Sequence, residues 1–322
     1  MSKGIINQPQ LNFANTSSSE KVLVNGFTPY YTTDFGAAYL ADSYELLKVM
    51  PDNSVDLVLT SPPYALQFKK EYGNKNKLEY NDWFIAFAKE IFRVLKDSGS
   101  FVLNIGGSWN KGEPTKSLYH YKLLIRLVEE VRFKLAQEFY WYNPAKMPVP
   151  AEWVTVRRIR VKDSVEHVWW FGKTSFPKAN NRNVLKPYSK DMLRLNKRKI
   201  KKAQRPSGHN INESFGKISA GGSIPPNVLE EYAENFMKFG NNAANDNYAK
   251  GCKAKGLKRH PARFPEVLPS FFIKLLTDSG DLICDPFAGS NTTGATAEKL
   301  QRVWIASDNV EKYLDGSKFR FE

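Results

Sequence analysis

Three places in the chain combine residue types that could do chemistry. The first is T-S-P-P-Y at 60–64, which follows the apolar run V-D-L-V-L. Ser61 precedes proline and is pushed into an extended backbone. Pro62 and Pro63 offer carbonyls but no N–H groups. A rigid turn with free acceptors, a hydroxyl and the aromatic face of Tyr64 suits a flat group bearing an amine. A plain proline-terminated loop has the same letters, and S-I-P-P-N at 223–227 shows that Pro-Pro alone is unspecific. The second place is D-L-I-C-D-P-F-A-G-S-N-T-T-G at 281–294. A buried strand ends in Asp285, a tight turn holds Gly289, and Thr292 and Thr293 open a helix. Ligands of open α/β sheets bind at such strand–turn–helix junctions. The glycine pattern is not G-x-G-x-x-G, which disfavours a pyrophosphate cradle. A small-residue turn beside an acid suits a ligand with an amino group and a carboxylate; an ordinary strand–helix turn is the other reading. The third feature is two more acids at strand ends. Asp308 closes R-V-W-I-A-S-D, where ribose hydroxyls are accepted, and Asp42 follows A-A-Y-L-A, where it could accept from an adenine amine. Each would serve equally as a helix N-cap, and the uses can coexist. Three acids ending three strands match an adenosyl ligand better than any one of them alone.

The elements that must position these residues are legible as alternating strands and helices. A-A-Y-L-A-D, V-D-L-V-L-T, S-F-V-L-N-I, L-A-Q-E-F-Y-W-Y-N, V-E-H-V-W-W-F-G, D-L-I-C-D-P-F and R-V-W-I-A-S-D read as strands. Between them S-Y-E-L-L-K-V-M, Y-N-D-W-F-I-A-F-A-K-E-I-F-R-V-L, L-L-I-R-L-V-E-E-V, F-P-E-V-L-P-S-F-F-I-K-L-L-T and T-T-G-A-T-A-E-K-L read as helices. This alternation predicts an α/β fold with a doubly wound, mostly parallel sheet. The pattern breaks at about 175. Residues 175–259 hold 18 Lys+Arg against 6 Asp+Glu, so +12 of the chain's net +14 falls there. One sheet domain, 28–174 with 260–322, is therefore expected around a basic insert at 175–259, after a polar arm at 1–27.

A net charge of +14 in 322 residues favours a polyanionic partner, nucleic acid first. Two cysteines, Cys252 and Cys284, cannot build a disulfide framework or a zinc cluster. His120, His167, His209 and His260 show no metal-ligand spacing, so no metal is expected. The start lacks the apolar core of a signal peptide, and no run approaches a membrane span. A cytoplasmic protein without membrane contact is the expectation.

[S/D/N]-P-P-[Y/F] after an apolar strand, together with D-P-F-x-G-S-x-T-T, is the signature pair of amino-group DNA methyltransferases, and this chain resembles them. The order of the motifs resembles the circularly permuted beta class. Serine before the prolines resembles the cytosine-N4 enzymes. T-S-P-P-Y-A-L-Q-F-K-K-E-Y-G-N, F-Y-W-Y-N-P-A-K-M-P-V-P-A-E-W-V, R-P-S-G-H-N-I and R-H-P-A-R-F-P-E-V-L-P extend the likeness to PvuII-type methyltransferases along most of the chain. The resemblance implies a seven-stranded Rossmann-like sheet of order 3-2-1-4-5-7-6, with A-A-Y-L-A third, V-D-L-V-L-T fourth, S-F-V-L-N-I fifth and the two C-terminal strands first and second. It implies methyl transfer from S-adenosylmethionine to N4 of a cytosine flipped out of double-stranded DNA. It also implies functional pairing with a restriction endonuclease without direct binding, a monomer, and CAGCTG as target. Ser61, Pro62, Pro63 and Tyr64 would be catalytic. Asp42, Phe264, Asp285, Pro286, Phe287, Gly289, Ser290, Thr292 and Asp308 would hold the cofactor. In the insert, Lys197, Arg198, Lys199, Lys201 and Lys202 are candidates for phosphates, and Arg205 and Asn210 for bases. One departure stands out: Asn104 occupies a position where the similar enzymes carry an acid, so any base assigned there is in doubt. Two alternatives are kept. One is methylation of adenine N6, and the other is a non-catalytic DNA-binding protein on the same fold.

Overall fold

The computed structural model describes residues 23–65, 77–144, 146–197, 203–208, 210–211, 221–229, 246–263 and 265–322. Its centre is one sheet. The strands in chain order are β1 (Tyr31–Thr32), β2 (Gly36–Leu40), β3 (Val55–Thr60), β4 (Leu95–Ile105), β5 (Lys134–Tyr142), β6 (Val165–Gly172), β7 (Val228–Leu229), β8 (Leu282–Asp285) and β9 (Val303–Asp308). They lie side by side as β1-β2-β9-β8-β3-β4-β6-β5-β7. The pairs from β2 to β4 are parallel, and β6 runs antiparallel to both β4 and β5. Without the two-residue edge strands, this is the 3-2-1-4-5-7-6 order expected from the sequence.

The central strands are buried on both faces. Every residue of β3 and β8 is buried, as a parallel sheet covered on both sides requires. On one face Val58, Phe101, Leu103, Cys284, Ile305, Trp169 and Phe171 join a core with Leu46 and Leu47 of α1 (Ser43–Val49), Phe84 and Ile91 of α2 (Lys77–Val94), and Leu123 and Leu127 of α3 (Tyr119–Glu129). The alternate residues Leu57, Val102, Ile283 and Trp304 are buried on the other face. Trp304 Nε1 there donates to Glu298 Oε2 at 2.6 Å, a residue of the helix that follows β8. Asp56 is the exception inside the apolar run. Its two oxygens each lie 2.8 Å from Lys96 Nζ, and one accepts from Leu282 N at 2.9 Å. A buried carboxylate survives because it is paired, and here it ties β3 to β4 and β8 at the rim away from the strand ends that carry the motifs.

The chain divides into two compact units, 1–178 with 227–322, and 179–226. The second contains the helix α4 (Lys190–Asn196), capped by Ser189 Oγ accepting from Met192 N at 3.1 Å, and a small hairpin of Ala203–Gln204 with Asn210–Ile211. The first also holds α5 (Asn247–Ala254), which the sequence places inside the insert. Tyr248, Ala249 and Cys252 form a buried stripe on α5, and a Cβ at Gly251 would stand 2.2 Å from the Phe319 ring. The basic composition around 250 hides this amphipathic helix, because its lysines occupy the outer face. The C-terminal part of the first unit adds α6 (Val267–Leu276), α7 (Thr292–Lys299) and α8 (Glu311–Ser317). No helix among the described residues is long and apolar enough to cross a membrane.

Gly36 shows how closely α7, β9 and β2 are fitted. A Cβ there would lie 2.3 Å from the Trp304 indole, itself held by Glu298. Gly36→Ala must displace a buried ring, and overpacking of this kind costs about 1–3 kcal/mol. The expected outcome is a lower urea midpoint with an unchanged slope. A midpoint equal to that of the unaltered protein would show that the ring relaxes freely.

Candidate active site

The carboxyl ends of β2, β3, β4, β8 and β9 share one rim, and the chemistry-bearing residues collect there. A cavity of about 400 Å³ opens at this rim, within the range of small-molecule sites. Ser61, Pro62, Pro63 and Tyr64 line it, as do Asp42, Pro286, Phe287, Gly289, Ser290, Thr292 and Asp308. Thus one cavity joins the two sequence motifs. Phe264, Arg198, Lys199, Lys201 and Lys202 lie outside the described residues. Lys197, Arg205 and Asn210 are exposed on the 179–226 unit, Arg205 and Asn210 on the small hairpin or its turn.

Of the candidate cofactor residues that are described, Asp285 alone does not line the cavity. It is 3% exposed. Its Oδ1 accepts from Thr60 Oγ1 at 2.6 Å and from Phe287 N at 3.1 Å, and its Oδ2 accepts from Thr293 Oγ1 at 2.7 Å. Burial raises its pKa to about 6 against these three donors. Its carboxylate is therefore committed to the protein and not turned to a ligand amine. It clamps the end of β3 to the turn after β8.

That turn is fixed from a second side. Gly289 has φ +52°, a left-handed conformation that favours glycine. Its N–H donates to Asp308 Oδ2 at 2.8 Å, while Val310 N donates to Asp308 Oδ1 at 2.9 Å. Burial raises the Asp308 pKa and these backbone donors oppose the shift. Asn291 caps α7 with its own backbone left-handed, Oδ1 accepting from Gly294 N at 3.0 Å. Asp42 caps α1 through Oδ1, which accepts from Tyr44 N at 2.8 Å; the cap leaves Oδ2 unused. Asp42 thus caps α1 and also forms part of the cavity wall. Opposite the acids, the Phe287 ring is backed by Trp83 and Phe87 with centroids 5.7 and 5.1 Å away. Carboxylate oxygens beside a flat apolar wall fit a nucleoside, with acceptors for hydroxyls or an amine and a slot for the ring. His260 lines the same end. Burial lowers its pKa to about 4, so it stands there as neutral imidazole.

At the other end the Tyr64 hydroxyl lies 3.2 Å from Ser61 Oγ, 3.1 Å from Asn104 Oδ1 and 2.8 Å from Glu166 Oε2. Glu166 Oε1 in turn accepts from Lys146 Nζ at 3.1 Å. The Tyr64 ring lies over Gly106, where a Cβ would come 2.7 Å from Cε2. Burial and the Glu166 charge raise the Tyr64 pKa well above its ordinary value, so the side chain is a phenol at neutral pH. Glu166, Trp141 and Arg263 line the cavity and were not expected from the sequence. Glu166 is the second residue of β6, whose reversed direction brings its first residues to the rim where the other strands end. The letters V-E-H-V-W-W held the signal, since the implied strand order makes that strand the reversed one. Among the described residues no group of three or more His, Cys, Asp and Glu is placed to hold a metal ion.

Comparison with known proteins converges on this geometry. The DNA methylase family profile matches residues 55–319, from the first residue of β3 to the 3₁₀ turn after α8. The chain belongs to the DNA methylase family. The type II methyltransferase M.PvuII of Proteus hauseri is 50% identical over 309 residues, 95% of this chain and 89% of that protein. M.ScaI of Streptomyces caespitosus is 28% identical over 91% of this chain and 84% of its own. Among solved structures, the PvuII DNA methyltransferase (cytosine-N4-specific) superposes with a TM-score of 0.73 at 44% identity, covering 92% of this chain and 90% of that one. This methylase is thus an enzyme of the DNA-modifying class.

His120 provides a test of the packing behind this site. It is 3% exposed, and burial, His167 and Lys116 lower its pKa to about 4. His260 is held at about 4 as well. Below about pH 6.5 the unfolded chain binds protons that these folded residues refuse, so each removes stability as pH falls from about 6.5 to 4. Asp285, with its pKa raised to about 6, acts in the opposite sense over part of that window. His120→Phe is expected to flatten the acid-side loss of stability in urea titrations between pH 6.5 and 4. Parallel curves for the two proteins would show that His120 takes up its proton within the fold.

Proposed function

We propose that this methylase transfers a methyl group from S-adenosylmethionine to the exocyclic N4 of a cytosine in double-stranded DNA, as the modification half of a type II restriction–modification pair. The observation that carries the reading is the single cavity with Ser-Pro-Pro-Tyr at one end and the Gly289–Asp308 turn at the other. The likeness to a cytosine-N4-specific methyltransferase supports the choice of base.

The cofactor supplies a methyl group on a sulfonium. Asp308 and Asp42 would accept from its hydroxyls and amine, Phe287 would face its ring, and Gly289, Ser290 and Thr292 would line its tail. Asp285 acts as a brace for these groups. The target amine is a weak nucleophile because its lone pair is delocalised into the ring. Ser61 Oγ and the Pro62 carbonyl, as acceptors at the two amine hydrogens, would draw the nitrogen toward tetrahedral geometry and turn its lone pair to the methyl. Held there, the amine would take the methyl as its bond to sulfur breaks, and the cationic methylated amine would then lose a proton. Most of the work is positioning.

The target amine is paired within the duplex, so the base must swing out at a cost of about a few kcal/mol. Lys197, Arg198, Lys199, Lys201 and Lys202 would offset part of this through phosphates, with Arg205 and Asn210 reading bases. Their charge and the exposure of Lys197, Arg205 and Asn210 support this. CAGCTG is the proposed target, on the likeness that runs through the insert. The protein would act as a monomer in the cytoplasm, beside an endonuclease that it does not bind. Two buried free cysteines suit a reducing compartment.

Digestion of methylated plasmid to nucleosides is expected to yield N4-methylcytosine; N6-methyladenine alone would overturn the assignment. Ser61→Ala is expected to lower turnover by about 100-fold or more while cofactor affinity stays within twofold. Equal losses in both would make Ser61 a fold residue. Alanine at Lys197, Lys199, Lys201 and Lys202 together is expected to reduce the slope of log affinity against log salt by roughly 0.9 per lost phosphate contact. An unaltered slope would place the DNA on another surface.

A further inference from the structure

We propose that Glu166, acting through Tyr64, fixes Ser61 as a hydrogen-bond acceptor toward the target amine and receives the amine's proton after methyl transfer. The inference rests on the reading of Ser61 given above and extends it to a residue outside the motif. The argument is one of hydrogen-bond direction. The Tyr64 hydroxyl has one proton and three oxygens around it: Glu166 Oε2 at 2.8 Å, Asn104 Oδ1 at 3.1 Å and Ser61 Oγ at 3.2 Å. A carboxylate only accepts. Asn104 is oriented by its Nδ2, which donates to His167 O at 3.2 Å, so its Oδ1 also only accepts. Two obligate acceptors on one side draw the phenolic proton away from Ser61. Ser61 must then donate to Tyr64, and its lone pairs are left for the cavity, where an amine hydrogen can meet them.

The same chain carries a proton outward. When the methylated amine gives its proton to Ser61 Oγ, the Ser61 hydroxyl proton passes to Tyr64 Oη and the Tyr64 proton to Glu166 Oε2. The products are a neutral methylated base, Ser61 and Tyr64 each with one proton, and a protonated Glu166. Tyr64 takes a proton as it gives one, which suits a side chain that burial keeps from ionising. The groups facing Glu166 are Tyr64, with Asn104 against the same hydroxyl, Lys146 at 3.1 Å, the neighbouring His167 and, further off, Tyr119. Lys146 is the cation that balances the carboxylate between turnovers.

Glu166→Gln keeps the size of the side chain but provides an amide that can donate to Tyr64 and reverse the chain of hydrogen bonds. Single-turnover methyl transfer on duplex DNA is expected to fall about 100-fold, the scale of acid–base contributions. Cofactor and DNA affinities should stay within twofold. Adding Asn104→Asp places a carboxylate against the same hydroxyl and is expected to restore most of the rate. In a Tyr64→Phe background, Glu166→Gln should cost nothing further. Glu166→Gln within twofold of the unaltered rate, or a full 100-fold loss in the Tyr64→Phe background, would overturn the inference. These outcomes are separate from the reading beneath it. Absence of N4-methylcytosine with the unaltered protein sinks that reading, whereas product formed equally by Glu166→Gln sinks only the role of Glu166.

Discussion

The Asp285 carboxylate is the joint on which the site depends. Thr60 donates to one of its oxygens and Thr293 to the other, at 2.6 and 2.7 Å. Thr60 is the residue before Ser61, and Thr293 stands in the first turn of α7. One buried charge therefore holds the Ser-Pro-Pro-Tyr turn and the turn after β8 at a fixed separation. Hydrogen bonds to a charged group contribute about 1.5–3 kcal/mol each, which is what keeps a fully buried carboxylate tolerable. Distance matters more here than bond strength, because methyl transfer needs its two partners in line and misplacement is costly.

From that joint the remaining parts follow in order. Asp308 fixes Gly289 from the β9 side, and the left-handed Gly289 lets the turn pass close to His260, where a Cβ would approach Nε2 to 3.1 Å. On the other flank, Gly106 lets the Tyr64 ring lie flat at the end of β4. The two ends of the cavity are thus shaped by side chains that are absent as much as by those present. Electrostatics divides the same way: acids beside the proposed nucleoside site, a neutral imidazole next to them, and a Lys146–Glu166 pair at the far end.

Much of this was legible in the sequence. The strand order could be stated because apolar runs alternate with helical spacing and because the motif order matched a permuted family. The two motifs were visible as letters that a strand cannot continue. What the letters could not give was the direction of a side chain at a strand tip. Asp285, Asp42 and Asp308 look alike in sequence, yet Asp285 turns inward to two threonines and the other two line the cavity. Glu166 is hidden in the letters for a related reason: an acid marks a site most plainly at a strand's end, and Glu166 lies near the start of a reversed strand. The breadth of the basic segment also misled. Net charge is blind to the buried stripe of Tyr248, Ala249 and Cys252 that assigns α5 to the larger unit.

The position of β8 and β9 in the chain has a consequence for how the molecule comes into being. These two strands lie between β2 and β3, although some 220 residues separate β3 from β8 in sequence. While the chain is being synthesised, the early strands leave the ribosome with a gap in the middle of their sheet. The gap closes only when residues near 308 emerge, and contacts so distant in sequence form slowly. A nascent chain therefore holds its first strands open for most of translation, with two inner edges exposed and no way to grip a methyl donor until β8 and β9 slot between them.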